Sequence, residues 1–172
     1  GMGLAISRAF LAEGANVAIL DRDPATADVA NALAAEFLAA AEEPQRCLGL
    51  VADVTESAAV EAAAEAVWRE LGRCDHVVFA AGVGSGKFGF PFWNLQPQDW
   101  EPVIRVNLLG AAFVGHAFGP RLAAARRGTM LFLASVAGQI GSQTDPPYSA
   151  SKAGLINFAQ CAAKDLAPFG VR

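Results

Sequence analysis

The run Asn16-Val17-Ala18-Ile19-Leu20-Asp21-Arg22-Asp23-Pro24 decides the fold. Its opening segment, Asn16–Leu20, is apolar, too short for a helix and bounded by turn-forming Asp and Pro, so it is expected to be a short buried strand. On its N-terminal side, Leu4–Glu13 has helical spacing and is closed by Gly14. On its C-terminal side, Pro24–Glu42 is Ala-rich, with proline where a first helical turn accepts it. An apolar strand set between two helices is the repeating unit of a parallel sheet, because parallel neighbours need a long crossover.

The same alternation continues outward. Cys47–Val51 is expected as a strand, Glu56–Leu71 as a helix stopped by Gly72, and His76–Ala80 as a strand running into the Gly-rich segment Gly82–Gly89. Gln96–Arg105 and Leu108–Arg127 have helical patterns, Thr129–Ala134 that of an apolar strand, Ser135–Pro147 that of a loop, and Tyr148–Ala167 that of a long amphipathic helix. The expected class is α/β: a doubly wound parallel sheet with helices on both faces, in one domain spanning residues 1–172.

Composition narrows the functions. Hydrophobic residues make up 53% of the 172 and charged residues 17%, which excludes intrinsic disorder. The formal net charge is −4 and Arg126-Arg127 is the one basic doublet, so neither nucleic acid nor an anionic membrane is an expected partner. Cys47, Cys74 and Cys161 lie far apart, with no Cys-x-x-Cys and no neighbouring His, which argues against zinc and against a disulfide framework. His76 and His116 are isolated, and no metal site is assigned. No secretory leader pattern opens the sequence and no uninterrupted apolar run approaches a membrane-spanning length, so a soluble, cytoplasmic protein is expected.

Gly1-Met2-Gly3 opens directly onto a helix, although glycines of this kind normally follow a strand, where backbone can approach a pyrophosphate at the helix's positive end. Phe169-Gly170-Val171-Arg172 has the character of an entry to a further strand. The expectation is a piece of a longer enzyme, incomplete at both ends and weakly active or inactive alone, or a chain whose missing parts come from elsewhere.

Gly1-x-Gly3 alone is equally well explained by a tight turn. Asp21, 18 residues after Gly3 at the end of a strand, adds to it, since a carboxylate there can accept hydrogen bonds from both hydroxyls of an adenosine ribose. A turn-forming Asp is the plainer alternative, and Asp23 is better explained as a helix cap. Asp53, in Ala52-Asp53-Val54, follows the next strand at the same sheet edge, where it could bond an adenine amino group; Thr55 beside it is expected to be a cap. These features also describe a methyltransferase that binds S-adenosylmethionine. The second half decides: Tyr148-Ser149-Ala150-Ser151-Lys152 puts a phenol and an ammonium at i and i+4 on one helix face, Ser135 ends a strand 13 residues earlier, and Asn107 sits between two helical stretches.

With these residues in place, the chain resembles the short-chain dehydrogenase/reductase family over nearly its whole length, in its shorter single-domain branch. Gly1 and Gly3 would represent the family's Gly-x-x-x-Gly-x-Gly turn, Asp21 its ribose-binding acid and Asp53-Val54 its adenine contacts. Asn107, Ser135, Tyr148 and Lys152 match its catalytic tetrad in order and spacing. One departure is Phe79-Ala80-Ala81-Gly82 where the family often has Asn-Asn-Ala-Gly; Ala81-Gly82 still lets backbone lie close to a cofactor.

The resemblance implies a Rossmann-like fold and hydride transfer between a nicotinamide and a secondary alcohol or ketone, with the protein handling the proton. Tyr148 would be the acid/base. An exposed i,i+4 pair supplies only about 0.5 kcal/mol, so Lys152 would have to act in a partly desolvated pocket. Ser135 would bond the substrate oxygen, and Asn107 would hold Lys152 in a proton relay through a water. The carboxylate of Asp21 would repel the 2′-phosphate of NADP, so NAD is the expected cofactor; Arg22, whose guanidinium can accept that phosphate, keeps NADP open. Phe88, Phe90, Phe92 and Trp93 are expected to pack a loop onto the core rather than line a substrate pocket, and Gln139, Thr144 and Pro147 are candidate substrate neighbours by position alone. A homodimer or homotetramer is implied. The alternative to an enzyme is a non-catalytic nucleotide-binding or interaction protein of the same fold.

Overall fold

The structure is a computed structural model and describes residues 1–37, 45–141 and 145–172. It comprises two compact units, Gly1–Cys74 and Asp75–Arg172.

In the first unit, helix α1 (Met2–Ala12) leads into strand β1 (Val17–Asp21), helix α2 (Thr26–Phe37), strand β2 (Cys47–Val51) and helix α3 (Ser57–Leu71). The last part of the helix expected over Pro24–Glu42 lies outside the described residues. Strands β1 and β2 are parallel, with Val17 opposite Cys47 and Asp21 opposite Val51, and the amide of Ala52 extends the ladder to Asp21 O at 2.9 Å. Helix α2 buries Thr26, Ala30 and Leu33 along one stripe. Its first turn lies so close to β2 that a Cβ on Gly49 would stand 2.5 Å from Thr26 O. Helix α3 buries Val60, Ala63, Ala64 and Val67 and ends at Gly72, whose φ of 74° is the left-handed stop that glycine adopts most easily. Thr55 does not cap it: Glu56 stands at the cap position without a side-chain capping bond, and Thr55 turns its hydroxyl to Asp53.

In the second unit, strand β3 (His76–Phe79) and strand β4 (Thr129–Phe132) are parallel, with His76 opposite Thr129 and Phe79 opposite Phe132. The expected strand entry at the end of the sequence is present in outline: Val171 bridges Gly128 in parallel, and Met130 N donates to Arg172 O at 2.7 Å. Helix α4 (Pro97–Ile104) and helix α5 (Gly110–Ala125) are not separate, as the sequence pattern suggested, but are joined through a π turn at Arg105–Leu109. The joined helix, Pro97–Ala125, is 29 residues long and, by length and mean composition, apolar enough to cross a membrane, although Asp99, Glu101, Arg105, Asn107, His116 and Arg121 interrupt its apolar run. Its packing is that of a core helix: Val103, Asn107, Ala111 and Leu122 are buried, and it lies against β3, β4 and the long helix α7 (Pro146–Leu166). Phe132 links sheet to helix, its ring centroid 6.3 Å from that of Phe79 and 5.5 Å from that of Phe158 on α7.

Two further expectations change. The segment expected as a loop, Ser135–Pro147, contains a short helix α6 (Ala137–Ile140) and the first turn of α7. The aromatic cluster does not pack onto the core: Phe88, Phe90, Phe92 and Trp93 are all exposed, and Leu95 takes the buried place instead. Phe92 and Trp93 stack edge to face on each other, centroids 5.2 Å apart.

Candidate active site

Parallel strands leave their loops at the carboxyl edge, which is where open α/β sheets carry their sites. In the second unit, β3 runs out there into Ala80-Ala81-Gly82-Val83 and β4 into Leu133-Ala134-Ser135. Asn107, on the π turn, is fully buried beneath the first of these. Its Oδ1 accepts from Val83 N at 2.8 Å, while Nδ2 donates to Val83 O and to Ser151 Oγ, both at 2.9 Å. The Ser151 hydroxyl in turn donates to Tyr148 O at 2.7 Å, so the carboxamide ties the β3 loop to α7.

Lys152 is buried on α7, and its Nζ donates to Leu133 O at 2.6 Å. Burial pushes its pKa below the ordinary lysine value, because an ammonium loses its hydration there. The same nitrogen lies 5.6 Å from the ring centroid of the half-buried Tyr148, as i,i+4 spacing requires. Gly82 stands between the two polar groups: a Cβ there would be 3.4 Å from Lys152 Nζ and 3.5 Å from Asn107 Oδ1. The carboxamide oxygen and the amine thus face one small space over a backbone with no side chain.

Ser135 is partly buried at the entrance to α6, and its Oγ accepts from Ala137 N at 3.2 Å. Helix α6 lies directly on α7: a Cβ on Gly138 would stand 2.6 Å from the carbonyl carbon of Lys152. Pro147 is buried within α7 and Gln139 is exposed on α6, while Thr144 lies outside the described residues. His76 Nδ1 is 2.8 Å from Thr129 Oγ1 across the β3–β4 pair.

Asp145 was not singled out from the sequence. It is buried, caps α7 by accepting from Tyr148 N at 3.3 Å through Oδ1, and accepts from Ser85 N at 2.9 Å through Oδ2. An Asp followed by Pro is the ordinary signal of a helix start, and it stood in Asp145-Pro146-Pro147. The β3 loop is also held at Lys87, whose ammonium bonds Asp99 Oδ2 at 2.9 Å; that bond holds the Asp99 carboxyl below the usual carboxylate range. The same oxygen accepts from Gln96 N at the start of α4.

In the first unit, Gly1 caps α1 without a side chain and a Cβ there would meet nothing within 4 Å, while Met2 is exposed and Gly3 O accepts from Ser7 Oγ at 3.0 Å. A helix N-terminus without a side-chain cap is a favourable place for an anion. Asp21 and Arg22 are exposed at the end of β1, with Asp21 Oδ1 accepting from Asp23 N at 3.1 Å. Asp23 Oδ1 accepts from Ala25 N just before α2, in keeping with a capping role. Asp53 and Val54 are half-buried beyond β2, at the same edge as Asp21, and Asp53 Oδ1 accepts from both the amide and the hydroxyl of Thr55 at 2.8 Å. A carboxylate at each of two adjacent strand ends, beside an uncapped helix start, suits a nucleotide with ribose hydroxyls and phosphates.

Comparison with known proteins shows the family of the chain. The family model described as short chain dehydrogenase matches residues 1–172. The D-threitol dehydrogenase of Mycolicibacterium smegmatis is 35% identical over the whole chain, which covers 63% of that enzyme. The structure of an NAD+-bound xylitol dehydrogenase superposes with a TM-score of 0.88 at 27% identity, covering 99% of this chain and 63% of that one. A metagenomic short-chain oxidoreductase in complex with NADP superposes with a TM-score of 0.83 at 35% identity, covering 100% of this chain and 73% of that one. The chain spans just under two thirds of the length of the D-threitol dehydrogenase, 63%.

Proposed function

The chain belongs to the short-chain dehydrogenase family, with its Rossmann-like α/β fold, and on that premise we propose that it serves an oxidoreductase that transfers a hydride between a nicotinamide nucleotide and a secondary alcohol or ketone. The observation that carries this reading is the amine of Lys152, buried beside the ring of Tyr148 and facing the Asn107 carboxamide across Gly82. When bound, the nucleotide would supply or take the hydride. The protein's part is the proton. Tyr148 passes it to or from the substrate oxygen, Lys152 supports the phenolate by its charge, and Ser135 donates a hydrogen bond to the same oxygen. Asn107 holds the β3 loop, and its Oδ1 and the Lys152 amine both come up to Gly82, where a water joining them would carry that proton.

In the first unit, Gly1, Met2 and Gly3 would receive phosphate, Asp21 the ribose and Asp53-Val54 the adenine; in the second, Ala81, Gly82, Tyr148 and Lys152 would flank the reacting end. NAD is the preferred cofactor because the exposed Asp21 carboxylate opposes a 2′-phosphate, while the neighbouring Arg22 favours NADP. We place the protein in the cytoplasm as a single dinucleotide-binding domain in a homodimer or homotetramer, acting on small alcohols or carbonyls.

The test is a hydride-transfer assay of the whole protein with NAD and NADP against a panel of secondary alcohols, polyols and their ketones. Turnover in the unsubstituted protein, lost in Tyr148→Phe while cofactor titration is unchanged, is expected. Absence of turnover with intact nucleotide binding would favour a binding protein instead; tighter binding of S-adenosylmethionine would favour a methyltransferase.

A further inference from the structure

The β3 loop is gripped at alternate residues. Asn107 holds Val83 by both its amide and its carbonyl, and Asp145 holds Ser85 by its amide. The two grips come from different helices: Asn107 belongs to the helix Pro97–Ala125, Asp145 to the start of α7, which carries Tyr148 and Lys152.

Asp145 is 3% exposed, and a carboxylate is rarely buried so deeply without donors around it. Here its two oxygens take separate backbone amides, Tyr148 N and Ser85 N. Gly84 lies close beside Oδ2: a Cβ there would stand 2.8 Å from it and 3.3 Å from the Phe88 ring. Cap and clamp are therefore one side chain, and it bonds the amide of the very residue whose phenol is to move the proton.

We propose that Asp145 is a positioning residue for proton transfer: by joining the amides of Tyr148 and Ser85 it fixes the register between the first turn of α7 and the β3 loop that Asn107 holds. This rests on the oxidoreductase reading above. Asparagine is no substitute, because its carboxamide has a single acceptor oxygen and its Nδ2 would meet the second amide donor to donor. Misplacing a reacting group by an ångström costs up to about a hundredfold in rate, with little change in how tightly reactants bind.

The experiment uses Asp145→Asn and, as a variant that leaves the carboxylate in place but crowds its Oδ2, Gly84→Ala, both in the whole protein. Amide hydrogen exchange is measured at Ser85 and Tyr148, together with cofactor affinity, kcat and the isotope effect with 4-deuterated cofactor. Expected are faster exchange at both amides in Asp145→Asn, kcat lower by about tenfold or more in both variants, an altered isotope effect, and cofactor affinity within about twofold of the parent. Normal exchange at Ser85 and Tyr148 in Asp145→Asn would overturn the clamp. Faster exchange with unchanged kcat and isotope effect would reduce Asp145 to a structural cap, as would kcat falling only in step with the folded fraction. An unsubstituted protein that transfers no hydride would instead overturn the oxidoreductase reading, and the role of Asp145 with it.

Discussion

The carboxamide of Asn107 and the backbone of Val83 form a closed pair, with Oδ1 accepting from the amide at 2.8 Å and Nδ2 donating to the carbonyl at 2.9 Å. It is the bonding that a neighbouring strand would give Val83, supplied by a side chain from a helix. The π turn makes it possible, because the wider turn at Arg105–Leu109 lets a buried helix position aim a polar group at the sheet edge.

Replacing Asn107 by Ala leaves two backbone groups of Val83 and the Ser151 hydroxyl short of a partner in a buried place. The expected loss is about 2–4 kcal/mol, read as a lower urea midpoint at unchanged slope. Asn107→Asp should fare no better, since it keeps an acceptor for Val83 N but turns a second oxygen on Val83 O. A midpoint within experimental error of the parent for both variants would show that the pair carries no stability.

Lys152 predicts a pH dependence. Burial lowers its folded pKa below 10.5, the value of the unfolded chain. Between the lowered value and 10.5 the unfolded chain keeps a proton that the folded chain has released, so this group's contribution to stability rises with pH across that window and is level on either side. Measured against Lys152→Met at each pH, the parent should therefore gain relative stability on going from neutral to about pH 10. A parent that loses ground to the variant over that range would mean that the folded protein favours the ammonium.

The alternation of strand and helix was legible because short apolar runs and helix-stopping glycines are local signals, and Gly72 stops α3 where the pattern placed it. Asn107, Tyr148 and Lys152 were legible as a spaced set; Asn107 Oδ1 and Lys152 Nζ both come up to Gly82, and Lys152 Nζ lies 5.6 Å from the Tyr148 ring centroid. The continuity of Pro97–Ala125 was not, since a π turn adds a residue to the helical period and breaks the stripe at Val106-Asn107-Leu108. The aromatic cluster misled for another reason: hydrophobicity says what a side chain gains by burial, not whether the loop has room, and Trp93 stays 71% exposed while Leu95 is buried. Asp145 was hidden by drawing the boundary of α7 after its prolines rather than before them.

If Asp21 sets the cofactor preference, as proposed, its replacement should shift it. Asp21→Ser removes the charge that would oppose a 2′-phosphate and leaves Arg22 to receive it. The ratio of kcat/KM for NADP to that for NAD should rise by about tenfold or more, and Arg22→Ala added to Asp21→Ser should take back much of the gain. An unchanged ratio in Asp21→Ser would place the ribose elsewhere.

Gly138 fixes how closely α6, and with it Ser135, lies on α7. A Cβ there would stand 2.6 Å from the carbonyl carbon of Lys152 and 2.8 Å from Ala153 N, which is backbone and cannot swing aside. Gly138→Ala should therefore cost about 1–3 kcal/mol by pushing the helices apart, whereas the usual effect of Gly→Ala inside a helix is to stabilise it. Separation at this point also moves Ser135, which leads into α6, relative to α7; on the proposed mechanism hydride transfer should then fall further than the loss of folded protein explains, with cofactor affinity kept. Gly72→Ala serves as a contrast, because there the cost comes from the left-handed backbone at φ 74° and a Cβ would meet nothing within 4 Å. If Gly138→Ala is as stable as the parent under urea, the close approach of α6 to the Lys152 backbone is not a constraint on this fold.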